Sequence, residues 1–116
     1  MKVQVGSGFL PHEIEDELLR FSSEIEKVVQ QVIDADREAT TKRIDYDKAY
    51  ATAILSVEGK NVEERKAKAF LAVAVEHTEA EIADLLLRTA KRRLAELERK
   101  IDILRTFSAN LRNQSL

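Results

Sequence analysis

The sequence predicts an all-α fold: a long helical hairpin or coiled coil of three helices that works as an oligomer. Three observations carry this expectation. The stretch from Asn61 to Leu111 contains neither Pro nor Gly and is rich in Ala, Leu, Glu, Lys and Arg, the strongest helix formers. Charged residues make up 34% of the chain and aromatics 5%, with fourteen alanines, a profile of long helices rather than of a β-rich core. Unbroken, the helix from 61 to 111 would span roughly 75 Å, too long for a chain of 116 residues to bury in a compact ball. It must fold back on itself or pack against other chains. One long helix with one partner still leaves apolar surface uncovered, which favours self-association.

Taken in order, residues 1–10 carry Gly6, Gly8 and a short Val3/Val5 alternation and read as a flexible or extended arm. A single helical domain over 11–116 follows. Pro11 suits the first turn of a helix, where a missing N–H costs nothing, and Glu13, Glu15 and Asp16 favour the positive end of the helix dipole. Ile14, Leu18, Phe21, Ile25, Val28, Val29, Val32 and Ile33 keep three- and four-residue steps, which predicts a helix over 11–37. Thr40 and Thr41 sit in an apolar-poor stretch where that helix is expected to end or bend. Ile44, Tyr46, Ala49, Tyr50, Ala53, Ile54 and Val57 predict a second helix over 44–58. Gly59 is the expected stop, through a left-handed residue past the helix end. Asn61 with Glu64 three residues on has the form of an N-cap and capping box, so the third helix is expected over 62–112. In its last part Leu87, Ala90, Leu94, Leu97, Ile101, Leu104, Ser108 and Leu111 alternate steps of three and four, an a/d heptad seam. Leu87, Leu94, Leu97, Ile101, Leu104 and Leu111 are the expected contact between chains. Upstream, Phe70, Leu71, Ala74, Val75, Ile82, Leu85 and Leu86 form a wider stripe out of register with that seam. They are expected to pack within the chain.

Composition excludes several function classes. Without cysteine there is no disulfide and no thiolate zinc site. The first residues hold no apolar run of signal-peptide type, and no stretch approaches the ~20 apolar residues of a membrane span. A cytoplasmic location with no membrane role is expected. The net charge of −2 is unevenly placed. Nine acids and three bases lie between Glu13 and Glu38, and seven bases and three acids between Arg88 and Arg105, so the first helix can pair with the last, within or between chains.

Candidate chemistry is sparse. His12 and His77 are far apart in sequence and neither has a second ligand at i±3 or i±4 beyond a carboxylate, so no metal site is expected. Glu81 and Asp84, one turn apart, could hold a hard cation. They resemble part of the acidic E-x-x-D signature of MazG-type all-α nucleotide pyrophosphatases, but Glu58, Glu63 and Glu64 do not form the E-x-x-E pair that those enzymes place upstream. Gly6, Gly8 and Gly59 make no phosphate loop. No catalytic residue and no cofactor is assigned, and the chain is expected not to be an enzyme. The basic residues carry more. Lys42 and Arg43 stand beside Tyr46, with Tyr50 one turn later; cations neutralise phosphates and tyrosine rings stack on unpaired bases. Arg88, Lys91, Arg92, Arg93, Arg99 and Lys100 form a second basic region, in which Arg92 and Arg99 point away from the heptad seam. The alternative for both regions is a solvated face paired with the acidic first helix.

Thr41-Lys42-Arg43-Ile44-Asp45-Tyr46, followed by a helix-rich C-terminal half, resembles the UvsY-type recombination mediators of tailed phages, which carry a Lys-Ala-Arg-Leu stretch leading into Asp-Tyr. Arg43, Asp45 and Tyr46 match, Ile44 replaces Leu, and the first Lys is Thr41 here, with Lys42 one place later. The resemblance implies a small all-α protein that forms a ring-like or higher homo-oligomer through its C-terminal helices. It also implies binding of single-stranded DNA and loading of a recombinase onto strands covered by single-strand binding protein, in the cytosol of a bacterial host. Lys42, Arg43, Tyr46, Tyr50, Arg92 and Arg99 are then the expected nucleic-acid contacts. The alternative expectation is a helical coiled-coil interaction or assembly protein that binds a host or phage protein and no nucleic acid.

Overall fold

The structure is a computed structural model and describes residues 10–114. Of the expected arm, residues 1–9 lie outside the described residues. Among the described residues there are three helices and no strand: α1 (Pro11–Ser56), α2 (Val62–Ala72) and α3 (Ala74–Gln114). The all-α class is as the composition predicts. No helix among the described residues is long and apolar enough to cross a membrane.

Helix α1 starts where Pro11 places it. The carbonyl of Leu10 accepts from the amides of Glu13 (3.0 Å) and Ile14 (3.2 Å), and Glu13 lies in the first turn. The break expected at 38–43 is absent. Residues 11–37 and 44–56 belong to one helix of 46 residues, roughly 69 Å long at ~1.5 Å per residue, which ends two residues before the expected 58. Tertiary packing overrides the weak local pattern: Ala39 is buried against Ala83 and Leu87, with Val32 and Ala35 beside it. Thr40 and Thr41 lie on the exposed side of an element whose opposite face is occupied.

At the other end, Gly59 acts for a different reason from the expected one. Its φ lies outside the left-handed region; instead a Cβ there would stand 2.9 Å from Arg65 Cγ and 3.0 Å from the Arg65 backbone nitrogen. Gly59→Ala is therefore expected to cost about 1–2 kcal/mol in urea unfolding, because the backbone nitrogen cannot swing aside. Asn61 is the N-cap of α2, in extended backbone, and its Oδ1 accepts from the Glu64 amide at 2.8 Å. The Glu64 carboxylate reaches back to the Lys60 amide (3.0 Å), one residue earlier than a capping box would place it. Lys68 donates to the Glu58 carbonyl at 2.7 Å and lies 3.4 Å from Glu64, tying the turn to α2.

The bond from the Lys60 amide, then the one from Lys68, hold the Glu64 carboxyl below the usual glutamate range. A folded pKa below the unfolded one gives stability that is present above the ordinary carboxylate range and lost as pH falls through it. Glu64→Gln should accordingly flatten the acid side of the melting temperature against pH, and change the neutral side less than Asn61→Ala, which removes a cap worth about 1 kcal/mol.

The third expected helix, 62–112, is divided at Val73. This residue leaves helical geometry (φ −112°, ψ 25°), and its amide contacts the carbonyls of both Ala69 and Phe70 at 3.2 Å before His77 resumes the ladder on the Val73 carbonyl at 2.9 Å. Neither Pro nor Gly marks the place. Ala69 and Val73, one turn apart, are both buried there.

The chain divides into two compact units. One joins α1 as far as Gln31 to α3 from Lys91 onward, and the other is Val32–Ala90. In the first, α1 and α3 run antiparallel: Glu24 meets Arg93 at 3.2 Å, and Lys100 lies 5.8 Å from the Phe21 ring centre. Its core is Ile14, Val28, Leu97, Ile101 and Leu104, each under one-tenth exposed. Burying a side chain of this kind stabilises by about 1.5–3 kcal/mol. The second unit is also antiparallel: Ala39 packs with Ala83 and Leu87, whereas Tyr46, further along α1, meets His77, earlier on α3.

The heptad seam is therefore used within the chain. Leu97, Ile101 and Leu104 are core of the first unit, Leu94 and Leu111 are half-buried, and Leu87 is packed against Val32, Ala35 and Ala39 in the second. Four of the six residues expected to meet another chain, Leu87, Leu97, Ile101 and Leu104, are thus buried within a single copy of the chain, which has an α1 longer than the sequence suggests. The acidic first helix does pair with the basic last one, in the Glu24–Arg93 contact.

Candidate functional site

Lys42, Arg43, Tyr46 and Tyr50 all lie in the unit Val32–Ala90, on the side of α1 that meets α3 or at its edge. The Lys42 ammonium is 3.3 Å from Glu79 and 3.9 Å from Glu38, with its side chain half-buried. The hydrogen bond that Lys42 donates to Glu79, then that carboxylate's charge, raise the Lys42 pKa. Arg43 stands 3.7 Å from Asp84, which also faces Arg88 at 3.8 Å. Asp84 thus lies between two guanidiniums and is not available to a cation. Among the described residues no cluster of three His, Cys, Asp or Glu side chains could hold a metal ion.

The aromatic rings are engaged too. Tyr46 lies 6.2 Å from Tyr50 and edge-on to His77 at 5.3 Å, and His77 meets Phe70 at 5.0 Å. This row of rings packs α1 against α2 and α3. A groove beside it is lined by Arg43, Tyr46, Asp47, His77, Glu81 and Asp84. Three carboxylates against one guanidinium make a poor cradle for a phosphate. The first basic region is thus neutralised by acids that stand far away in sequence.

Arg92 and Arg99 belong to the other unit, seven residues apart on the exposed face of α3. Neither has an ion pair within 4 Å among the described residues, whereas Arg93, beside them, turns inward to Glu24. Of the six expected nucleic-acid residues, these two present open charge.

The largest departure from expectation lies upstream on α3. Val75, Ile82, Leu85 and Leu86 are 67%, 53%, 54% and 58% exposed. Most of the stripe expected to pack within the chain, Leu71, Val75, Ile82, Leu85 and Leu86, faces outward, while Leu87, Leu97, Ile101 and Leu104 of the heptad seam are buried. Ala83 and Leu87 supply the buried face of this part of the helix, so Val75, Ile82 and Leu85 stand on the opposite side. Counting Thr78 and Thr89 with them would have exposed the pattern in sequence: 75, 78, 82, 85, 89 is itself an a/d heptad series. Both threonine hydroxyls donate to their own helix, Thr78 to the Ala74 carbonyl and Thr89 to the Leu85 carbonyl, each at 2.9 Å. Their polar groups are satisfied locally, so covering them leaves no donor without an acceptor.

Scattered exposed leucines are ordinary, but a contiguous apolar face on one helix marks a contact surface. No protein-family model, no curated protein and no solved structure matches this chain.

Proposed function

We propose that this chain is a non-enzymatic helical interaction protein that works by lending the outer face of α3 to another helix. The observation that carries this reading is the exposure of Val75, Ile82, Leu85 and Leu86 on one side of a helix whose other side is already buried. Helix pairing needs no bound group and no catalytic side chain, only an apolar stripe with satisfied polar neighbours. The neutralised state of Lys42 and Arg43 supports the same reading, because their charge is matched inside the chain.

The test is co-purification with the tagged full chain. Proteins that associate with it, untagged copies of the chain included, should be lost with Ile82→Glu/Leu85→Glu and retained with Lys42→Ala/Arg43→Ala. The reverse pattern overturns the reading.

A second reading, single-stranded DNA binding in the manner of the phage recombination mediators, is favoured by Arg92 and Arg99, whose guanidiniums have no acidic partner within 4 Å among the described residues. It requires that affinity for oligo-dT fall steeply with salt. Arg92→Ala/Arg99→Ala should then lower the slope of log affinity against log salt by about 1.4. No measurable binding at low salt removes this reading.

A further inference from the structure

We infer that the outer face of α3 pairs with the same face of a second copy of this chain, antiparallel, around Ile82 and Leu85. The inference rests on the helix-pairing reading above and names its partner.

The seam has a at Val75, Ile82 and Thr89, and d at Thr78 and Leu85. In an antiparallel pair, a positions of one helix pack against d positions of the other, and g positions meet g positions across the edge. One register puts Ile82 against the partner's Leu85, and Leu85 against the partner's Ile82. The flanking layers then set Thr78 against the partner's Thr89, with both hydroxyls already turned to their own backbones. A two-fold axis between the central layers makes the two surfaces identical, as a closed dimer requires.

The charges at the edge select this register. The g positions beside the central layers are Glu81 and Arg88. About that axis Glu81 faces the partner's Arg88, and Arg88 faces the partner's Glu81, so the interface carries two reciprocal ion pairs. At present these side chains have only local contacts on exposed helix surface, Glu81 with His77 at 3.7 Å and Arg88 with Asp84 at 3.8 Å. The e positions are Glu79 and Leu86. Glu79 is already matched by Lys42 and lies where its methylenes can cover the partner's Leu86. A parallel pair lacks this match: the g carboxylate of Glu81 would meet Leu86 at e of the partner. Charge thus distinguishes both the partner and its direction, and it does so with groups on one helix face.

The alternative apolar face, Ile33, Ile44 and Leu55 on the outside of α1, recurs every eleven residues. Arg37, Asp47 and Lys48 stand among its members, and the face carries no comparable edge pattern.

The test is sedimentation equilibrium of the full chain, from micromolar to millimolar, with circular dichroism to confirm retained helix. The parent should shift with concentration from the chain mass to twice that mass. Glu81→Arg alone and Arg88→Glu alone each turn the edge pairs into like charges and should weaken self-association at least tenfold. The double variant Glu81→Arg/Arg88→Glu should restore it. An equimolar mixture of the two single variants should form a mixed dimer tighter than either alone, since each then supplies what the other lacks. A parent that stays monomeric at millimolar concentration overturns the inference. So do single variants that dimerise like the parent, or a double variant that stays weak. A monomeric parent that still loses a co-purifying protein through Ile82→Glu/Leu85→Glu would overturn the second copy as partner and leave the helix-pairing reading standing. A parent whose co-purifying proteins survive that variant overturns the reading itself.

Discussion

Ile101→Ala should lower the unfolding free energy by about 2–5 kcal/mol, whereas Ile103→Ala, two residues further along α3, should cost less than about 1 kcal/mol. The two isoleucines are the same chemistry on one helix, but Ile101 is 5% exposed and Ile103 49%. Truncating Ile101 removes buried methyl groups next to Ile25 and leaves a cavity that two long helices cannot collapse around. Truncating Ile103 removes surface that water already reaches. Urea denaturation of both variants measures the difference, and protein concentration adds a second discrimination. Because α1 of the same chain covers Ile101, the loss should be the same at micromolar and at hundred-micromolar protein. If Ile101 instead lay between chains, its contribution would grow with concentration by mass action. Equal costs for Ile101→Ala and Ile103→Ala, or a concentration-dependent difference, would return Leu97, Ile101 and Leu104 to an interface between chains.

How much of this was legible in the sequence depends on the range of the signal. Local signals were read well. Pro11 starts α1, and Asn61 caps α2 with the Glu64 amide on its side chain, because such devices act within four residues. The heptad spacing of Leu87 to Leu111 correctly marked one buried face. What spacing cannot say is whose helix covers that face. That depended on the length of α1, and Thr40 and Thr41 concealed it, since their weak propensity is overridden by Ala39 packing on Ala83 and Leu87. The interruption at Val73 had no sequence mark at all. At the candidate site, Lys42 and Arg43 read as a basic cluster because their neutralising partners, Glu79 and Asp84, stand on another helix. The outward face was hidden by a narrower habit: Thr78 and Thr89 count as polar in a pattern of apolar residues, although each places its hydroxyl on its own backbone.

Thr41→Pro should destabilise the chain by about 3 kcal/mol, a large part of the ~5–15 kcal/mol available to a domain of this size, while Val62→Pro should cost less than about 1 kcal/mol. Both positions are exposed, so neither change removes much packing. Thr41 lies inside α1, where proline deletes a ladder hydrogen bond and its ring meets the carbonyl four residues back. Val62 is the first residue of α2, where no ladder bond is lost, and Asn61 before it is extended (φ −151°, ψ 176°), as the residue before proline prefers. Thermal unfolding followed by circular dichroism, with Thr41→Ala as the control for side-chain loss, ranks the two. The ranking bears on function as well as on fold. If Thr41→Pro were as stable as Val62→Pro, α1 would have a hinge at 38–43, and the helix that holds Lys42 against Glu79 and Arg43 against Asp84 would no longer fix those pairs. The two cations would then be open to phosphate, and the nucleic-acid reading would regain the residues on which the sequence resemblance rests. A cost of about 3 kcal/mol keeps α1 helical through Lys42, keeps its charge matched within the chain, and leaves the outer face of α3 as the surface to be explained.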